Sequence, residues 1–179
     1  MNVTIHGRTQ HFRTVSFDAK ANAVRLIEQR LLPHEFKIVA ARDYKETAVA
    51  IRDMVVRGAG AIGATAAYGL AQGALAFRGD DLKKFAAHVR AVYQTLKDAR
   101  PTAVDPVNAM NAVCAVMQKG KTAEEKKSLA LAAAEDFANE DARHPRRRDR
   151  RACAEAHLGR QVRSDFPPGP DDLRRPFRQ

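Results

Sequence analysis

Between Gly58 and Phe77 the chain carries no charged residue, five glycines and a run of alanines. A stretch of that length could span a bilayer. Its only large apolar side chains are Ile62, Tyr68, Leu70, Leu75 and Phe77, which makes a poor lipid-facing surface. Small residues let neighbouring backbones approach closely. The stretch therefore reads as a buried helix, tightly packed by its neighbours.

The flanking sequence supplies material to pack against it. Phe12 to Phe17 alternates apolar and polar residues, and Ala23–Glu28 and Phe36–Val39 follow between turn-like residues. This pattern predicts a small antiparallel sheet. Asp43, with Glu46 three positions on, reads as a capping box. The helix it opens carries Tyr44, Ala48, Ile51 and Val55 on one face. A glycine-broken loop at 58–60 is expected to lead into the uncharged helix. After Arg78-Gly79-Asp80 a stripe of Leu82, Phe85, Val89, Val92 and Leu96 follows, stopped at Arg100-Pro101. Asp105-Pro106 reads as a cap with proline at the first helical position, ahead of Val107, Met110, Cys114 and Met117. Thr122 and Glu125 form another capping box before Leu129, Ala133 and Phe137. The expected fold class is α+β, with a β-rich segment over 1–41 and a helical part of the same domain over 42–143.

Residues 144–179 are of another kind. The formal charge is +10, but residues 1–141 carry only +4 of it and residues 142–179 carry +6. The tail has five of the eight prolines and no lysine. Its large apolar residues are too sparse to offset the entropy of ordering, so disorder is expected. The concentration of most of the excess charge in this tail argues against a specific nucleic-acid surface on the body. Two cysteines, Cys114 and Cys153, cannot form a disulfide framework and lack metal-ligand spacing, which fits a reducing compartment. No cationic segment followed by an apolar run marks the N-terminus, so no signal peptide is expected.

Gly58-Ala59-Gly60-Ala61-Ile62-Gly63 matches G-x-G-x-x-G, and Asp80 or Asp81 lies near the distance of a ribose-binding acid. That fingerprint needs a buried strand immediately before it, whereas Asp43 to Val56 has helical period. A different anion site is possible. Arg57 stands beside a glycine turn at a helix start, where backbone N–H groups and a planar guanidinium can hold phosphate. The same glycines could equally serve only to pack helices together.

Asp53 to Gly63, then Ala66-Ala67-Tyr68-Gly69, with Leu31-Leu32-Pro33 upstream and Ala99 to Val104 downstream, resembles the signature of the methylthioribose-1-phosphate isomerases over residues 10–143. The family usually has proline where Gly60 stands. The resemblance implies that Arg57, Gly58 and Ala59 contact a sugar phosphate and that Arg100 helps hold its phosphate. Arg100 also has a plain reading as a cation stabilising a helix C-terminus.

The implied reaction converts methylthioribose 1-phosphate to methylthioribulose 1-phosphate, in methionine salvage, without metal or nicotinamide. It moves a hydrogen from C1 to C2 and needs a general acid in a water-poor pocket. In the family a cysteine and an aspartate of a second, Rossmann-like domain supply this chemistry. The His-Cys-Asn motif around that cysteine does not occur in this sequence. Cys153 does not match it, and Cys114 reads as core. An N-terminal portion, inactive alone and followed by an out-of-frame tail, is therefore expected. The resemblance further implies a cytoplasmic homodimer with no membrane contact. Alternatives are a related pentose- or deoxypentose-phosphate isomerase, or a non-catalytic subunit of the initiation factor 2B type.

Overall fold

A computed structural model describes residues 2–5 and 8–143 of the chain. The expectations for residues 144–179, including the out-of-frame tail and any role of Cys153, lie outside the described residues.

Five short strands precede five helices. Strands β1 (Asn2–Ile5) and β2 (Arg8–His11) form an antiparallel pair. They lie outside the three runs that the alternation pattern picks out. Strands β3 (Val15–Asp18), β4 (Ala23–Ile27) and β5 (Ile38–Ala41) make the antiparallel sheet expected from those runs, with β4 in the centre. Val15 faces Leu26 and Val24 faces Ala41 across the ladders. In β4 every residue but Arg25 is buried.

Helices α1 (Tyr44–Arg52), α2 (Ala59–Ala76), α3 (Leu82–Ala99), α4 (Val104–Met117) and α5 (Ala123–Arg143) complete the fold. The uncharged helix α2 is central, in contact with all four other helices and with β3 and β4. Every residue from Ile62 to Ala74 is buried. Phe17 of β3 stacks on Tyr68 with ring centroids 5.6 Å apart. No described helix is long and apolar enough to cross a membrane.

A buried polar network ties α2 to the sheet. Gln72 donates through Nε2 to the carbonyls of Asn22 (2.8 Å) and Ala41 (2.9 Å), and its Oε1 accepts from the Thr47 hydroxyl at 2.8 Å. The burial of polar groups is cheap only where they are partnered in this way.

Several boundaries differ from the sequence expectation. Asp43 caps α1 through the N–H groups of Lys45 and Glu46, both at 2.8 Å. Glu46 reaches back to Arg42 N–H at 2.7 Å, one residue beyond the cap. Helix α1 ends at Arg52, so Val55 is buried from the following turn rather than from the helix face. Gly60 is already helical, because Gly58 is the N-cap of α2. Asp105 lies inside the first turn of α4 and Ala103 is its N-cap, without a side-chain bond. The Thr122–Glu125 box forms as read, with Glu125 N–H to Thr122 Oγ1 at 3.1 Å. On α5 the fully buried seam is Ala123, Ala130, Ala134 and Ala138, while Ala133 and Phe137 pack at its margin. Alanine is favoured there because α5 lies against α2, whose own small side chains allow a close approach.

Candidate functional site

The turn between α1 and α2, residues 53–58, is built by local hydrogen bonding. Val55 N–H bonds to Ala50 C=O at 3.0 Å and Met54 N–H to Ile51 C=O at 3.3 Å. This pair is a Schellman closure of α1. It places Met54 in the left-handed region, at φ 58°. Val55 and Val56 then turn inward and are buried, while Arg57 returns to the surface. Gly58 follows at φ 90°, ψ 139°, a backbone that L side chains rarely adopt, and α2 begins at Ala59.

The end of β4 braces this turn from behind. Gln29 N–H donates to Val55 C=O at 2.9 Å. Gln29 Oε1 accepts the Arg57 N–H. Arg30 donates to Asp53 C=O at 3.4 Å. Arg30 is itself held by the buried Glu28 through two bonds of 2.7 Å. The Arg30 guanidinium holds the Glu28 carboxyl below its ordinary range. Arg52 does the same for Asp53, across 2.8 Å.

Four arginines thus surround the turn, and they divide into two kinds. Arg30 and Arg52 are paired with carboxylates. Arg57 and Arg100 have no carboxylate partner among the described residues. Arg100 is the C-cap of α3, and its Nη1 meets the Met54 sulfur. The structure therefore brings Arg100, 43 positions away from Arg57 in sequence, to the same turn.

The start of α2 is open. Gly58 offers no side-chain cap, and a Cβ built there would meet nothing within 4 Å. The first N–H bonded within the helix is that of Ile62, to Gly58 C=O at 3.0 Å. No described group accepts from Ala59, Gly60 or Ala61. Unsatisfied donors at a helix N-terminus with two unpaired guanidiniums nearby form an arrangement suited to an anion. Gly60 lies in the first turn, where its N–H has no intrahelical partner. A helix, not a strand, precedes Gly58, so the context of the dinucleotide fingerprint is not met.

Cys114 and His88 serve the packing of the helices. Cys114 packs against the core, and burial pushes its thiol up to about 11, which suits a structural cysteine rather than a nucleophile. His88 bonds to Gly73 C=O at 2.9 Å and packs edge-on to Tyr44. Sequence reading missed Gln29 and gave Met54 no role. Both act across loops, where no hydrophobic period marks a contact.

A small antiparallel sheet bearing a helical layer defines an α+β domain. The chain belongs to the initiation factor 2 subunit family, whose model matches residues 55–159. That match runs past Arg143 into the residues read from sequence as tail. The methylthioribose-1-phosphate isomerase of Acetivibrio thermocellus is 45% identical over 108 residues, covering 59% of this chain and 32% of the relative. The crystal structure of 5-methylthioribose 1-phosphate isomerase from Pyrococcus horikoshii superposes with TM-score 0.70 at 36% identity, over 74% of this chain and 37% of that one. The translation initiation factor eIF-2B subunit delta from A. fulgidus gives TM-score 0.68 at 33% identity, over 74% and 38%. The chain spans about a third of the length of the curated relatives it matches.

Proposed function

We propose that this chain carries the phosphate-holding part of a methylthioribose-1-phosphate isomerase. Arg57, the N–H groups after Gly58 and Arg100 would grip the sugar phosphate. The observation that carries this reading is the division of the arginines: two are neutralised by carboxylates, and the two at the mouth of α2 are not. A site for a dianion keeps its cations unpaired, since a resident carboxylate would have to be displaced first.

Holding the phosphate does not by itself lower a barrier. The isomerisation moves a hydrogen from C1 to C2 and protonates the ring oxygen as the ring opens. Among the residues of the turn, arginines and backbone amides offer neither a base nor an acid poised near neutrality. The 179-residue polypeptide is accordingly expected to bind methylthioribose 1-phosphate without turning it over. Loss of one group from a concerted site costs orders of magnitude, and here both the acid and the cysteine are unaccounted for. The homodimer implied by the family belongs to the same reading.

Calorimetry of purified chain with methylthioribose 1-phosphate tests it. Arg57→Lys keeps the charge and loses the planar fork, and affinity should fall about tenfold. Unchanged affinity would remove Arg57 from the site. Ketose formation at rates of about 1 per second or more would show chemistry that this reading does not contain.

The second reading, a non-catalytic subunit, is favoured by the equally good superposition on the eIF-2B delta subunit. Such a subunit needs no phosphate grip, so wild-type chain that ignores sugar phosphate would support it.

A further inference from the structure

We propose that Gln29 is a positioning residue that fixes the Arg57 peptide and so sets the open start of α2 for an anion. The inference rests on the phosphate-site reading above and names a residue outside the grip which that reading describes. The ladders of β4 end with Ile27 N–H on Thr14 C=O at 3.0 Å and Glu28 N–H on Lys37 C=O at 2.9 Å. The next donor, Gln29 N–H, goes to Val55 C=O at 2.9 Å. The Gln29 side chain takes the return bond, its Oε1 accepting the Arg57 N–H. Gln29 thus bonds to both neighbours of Val56, as one residue of a parallel β-bridge bonds to those flanking its partner. In a strand the return acceptor would be a backbone carbonyl. Here a side-chain amide stands in for it.

Val56 is fully buried between the two bonds, whereas Arg57, Gly58 and Ala59 are exposed. Of the described bonds, the one from Arg57 N–H is the last that ties the turn to the sheet before α2 begins at Ala59. Gly58 follows it, and a glycine has more conformational freedom to lose than any other residue. An anion site made of backbone N–H groups binds best when they are already in place, since ordering them on binding subtracts from affinity. Gln29 supplies that order from the end of β4, whose residues are all buried but Arg25. The side chain also suits the place chemically. Methionine has the length without a strong acceptor, and glutamate would accept but bring a negative charge beside the site.

The test compares Gln29→Met with wild type in the full chain, titrated with inorganic phosphate and followed by amide NMR, alongside thermal melts. Methionine keeps the length and the backbone bond to Val55 and removes only the acceptor for Arg57 N–H. The Arg57 amide should then exchange with solvent faster, and phosphate should bind about 3- to 10-fold more weakly. Gln29→Glu restores an acceptor, so its Arg57 amide should exchange as slowly as in wild type. Gly69→Ala, in the middle of α2, is the stability control. Its Cβ would lie 2.8 Å from Thr47 Cγ2, so it should melt lower yet bind phosphate as wild type does. Wild-type phosphate affinity in Gln29→Met would overturn the proposal, as would an Arg57 amide indifferent to the acceptor. Affinities that merely track the melting temperatures, Gly69→Ala included, would overturn it too. Arg57→Ala separates these failures from failure of the site. If wild type binds no phosphate, or Arg57→Ala binds it equally, the anion site is not here. The role of Gln29 then falls with it, even where the Arg57 amide behaves as expected.

Discussion

Helix α2 uses glycine in two ways. At its start, Gly58 adopts φ 90° and faces open space. In its middle, Gly69 and Gly73 have no unusual backbone but no room. A Cβ on Gly69 would lie 2.8 Å from Thr47 Cγ2, and one on Gly73 would lie 2.5 Å from Val92 Cγ1. The first glycine shapes the chain, at a backbone conformation that L side chains rarely adopt. The others let α1 and α3 pack against α2. Either use alone would produce the same letters in the sequence, which is why the motif could be read as a binding loop or as helix packing. The packing reading holds at Gly69 and Gly73, and Gly58 supplies the turn.

The comparison fails first at Gly73 if it is wrong. Gly73→Val should destabilise by about 3 kcal/mol or more, because Val92 is β-branched and has few rotamers with which to retreat. Urea unfolding measures this, and a change under about 0.5 kcal/mol would mean that the helices can separate cheaply. Gly58→Ala should cost less, about 1–2 kcal/mol, since it strains the backbone without a clash. It should nevertheless weaken sugar-phosphate binding more than any change in the middle of α2, read by calorimetry on both variants.

A smaller effect concerns the brace behind the turn. Arg30 holds the Glu28 carboxyl below its ordinary value. A lowered carboxylate contributes stability above its unfolded pKa and loses it as pH falls through the folded value. Melting temperature should therefore drop on acidification below the ordinary carboxylate range, about pH 4.3. Glu28→Gln should flatten that part of the profile. An unchanged profile would mean that the Glu28–Arg30 pair does not hold the turn.

The elements were legible wherever a cap and a stripe agreed. Asp43, the Thr122–Glu125 box and the Phe85, Val92 and Leu96 stripe all gave their helices correctly, because capping and periodicity are local. The end of α1 was not legible. Val55 fits the helical spacing of Ile51, yet a methionine in the left-handed region breaks the helix before it, and methionine is not a stop signal. The alanine seam of α5 was also misread in favour of Leu129. Which face is buried depends on how closely α2 lies, and that is a property of two helices together. At the site, Arg57 and Gly58 could be singled out from spacing and Arg100 from resemblance. The approach of Arg100 to Met54, and the brace from Gln29, depend on contacts 28 to 46 positions apart in sequence. Val104 at 66% exposure and Leu82 at 43% also stay outside the core, although apolarity alone would place them within it.

The most direct measurement is a residue-resolved amide NMR titration of the 179-residue chain with methylthioribose 1-phosphate. If the open start of α2 holds the phosphate, the amides of Gly58 to Ala61 should shift with a single saturating curve. Those of Gly69 and Gly73 in the same helix should stay within noise, and the Arg57→Lys chain should need about tenfold more ligand for the same shift. Shifts spread evenly along α2, or centred away from residues 57–61, would contradict the account.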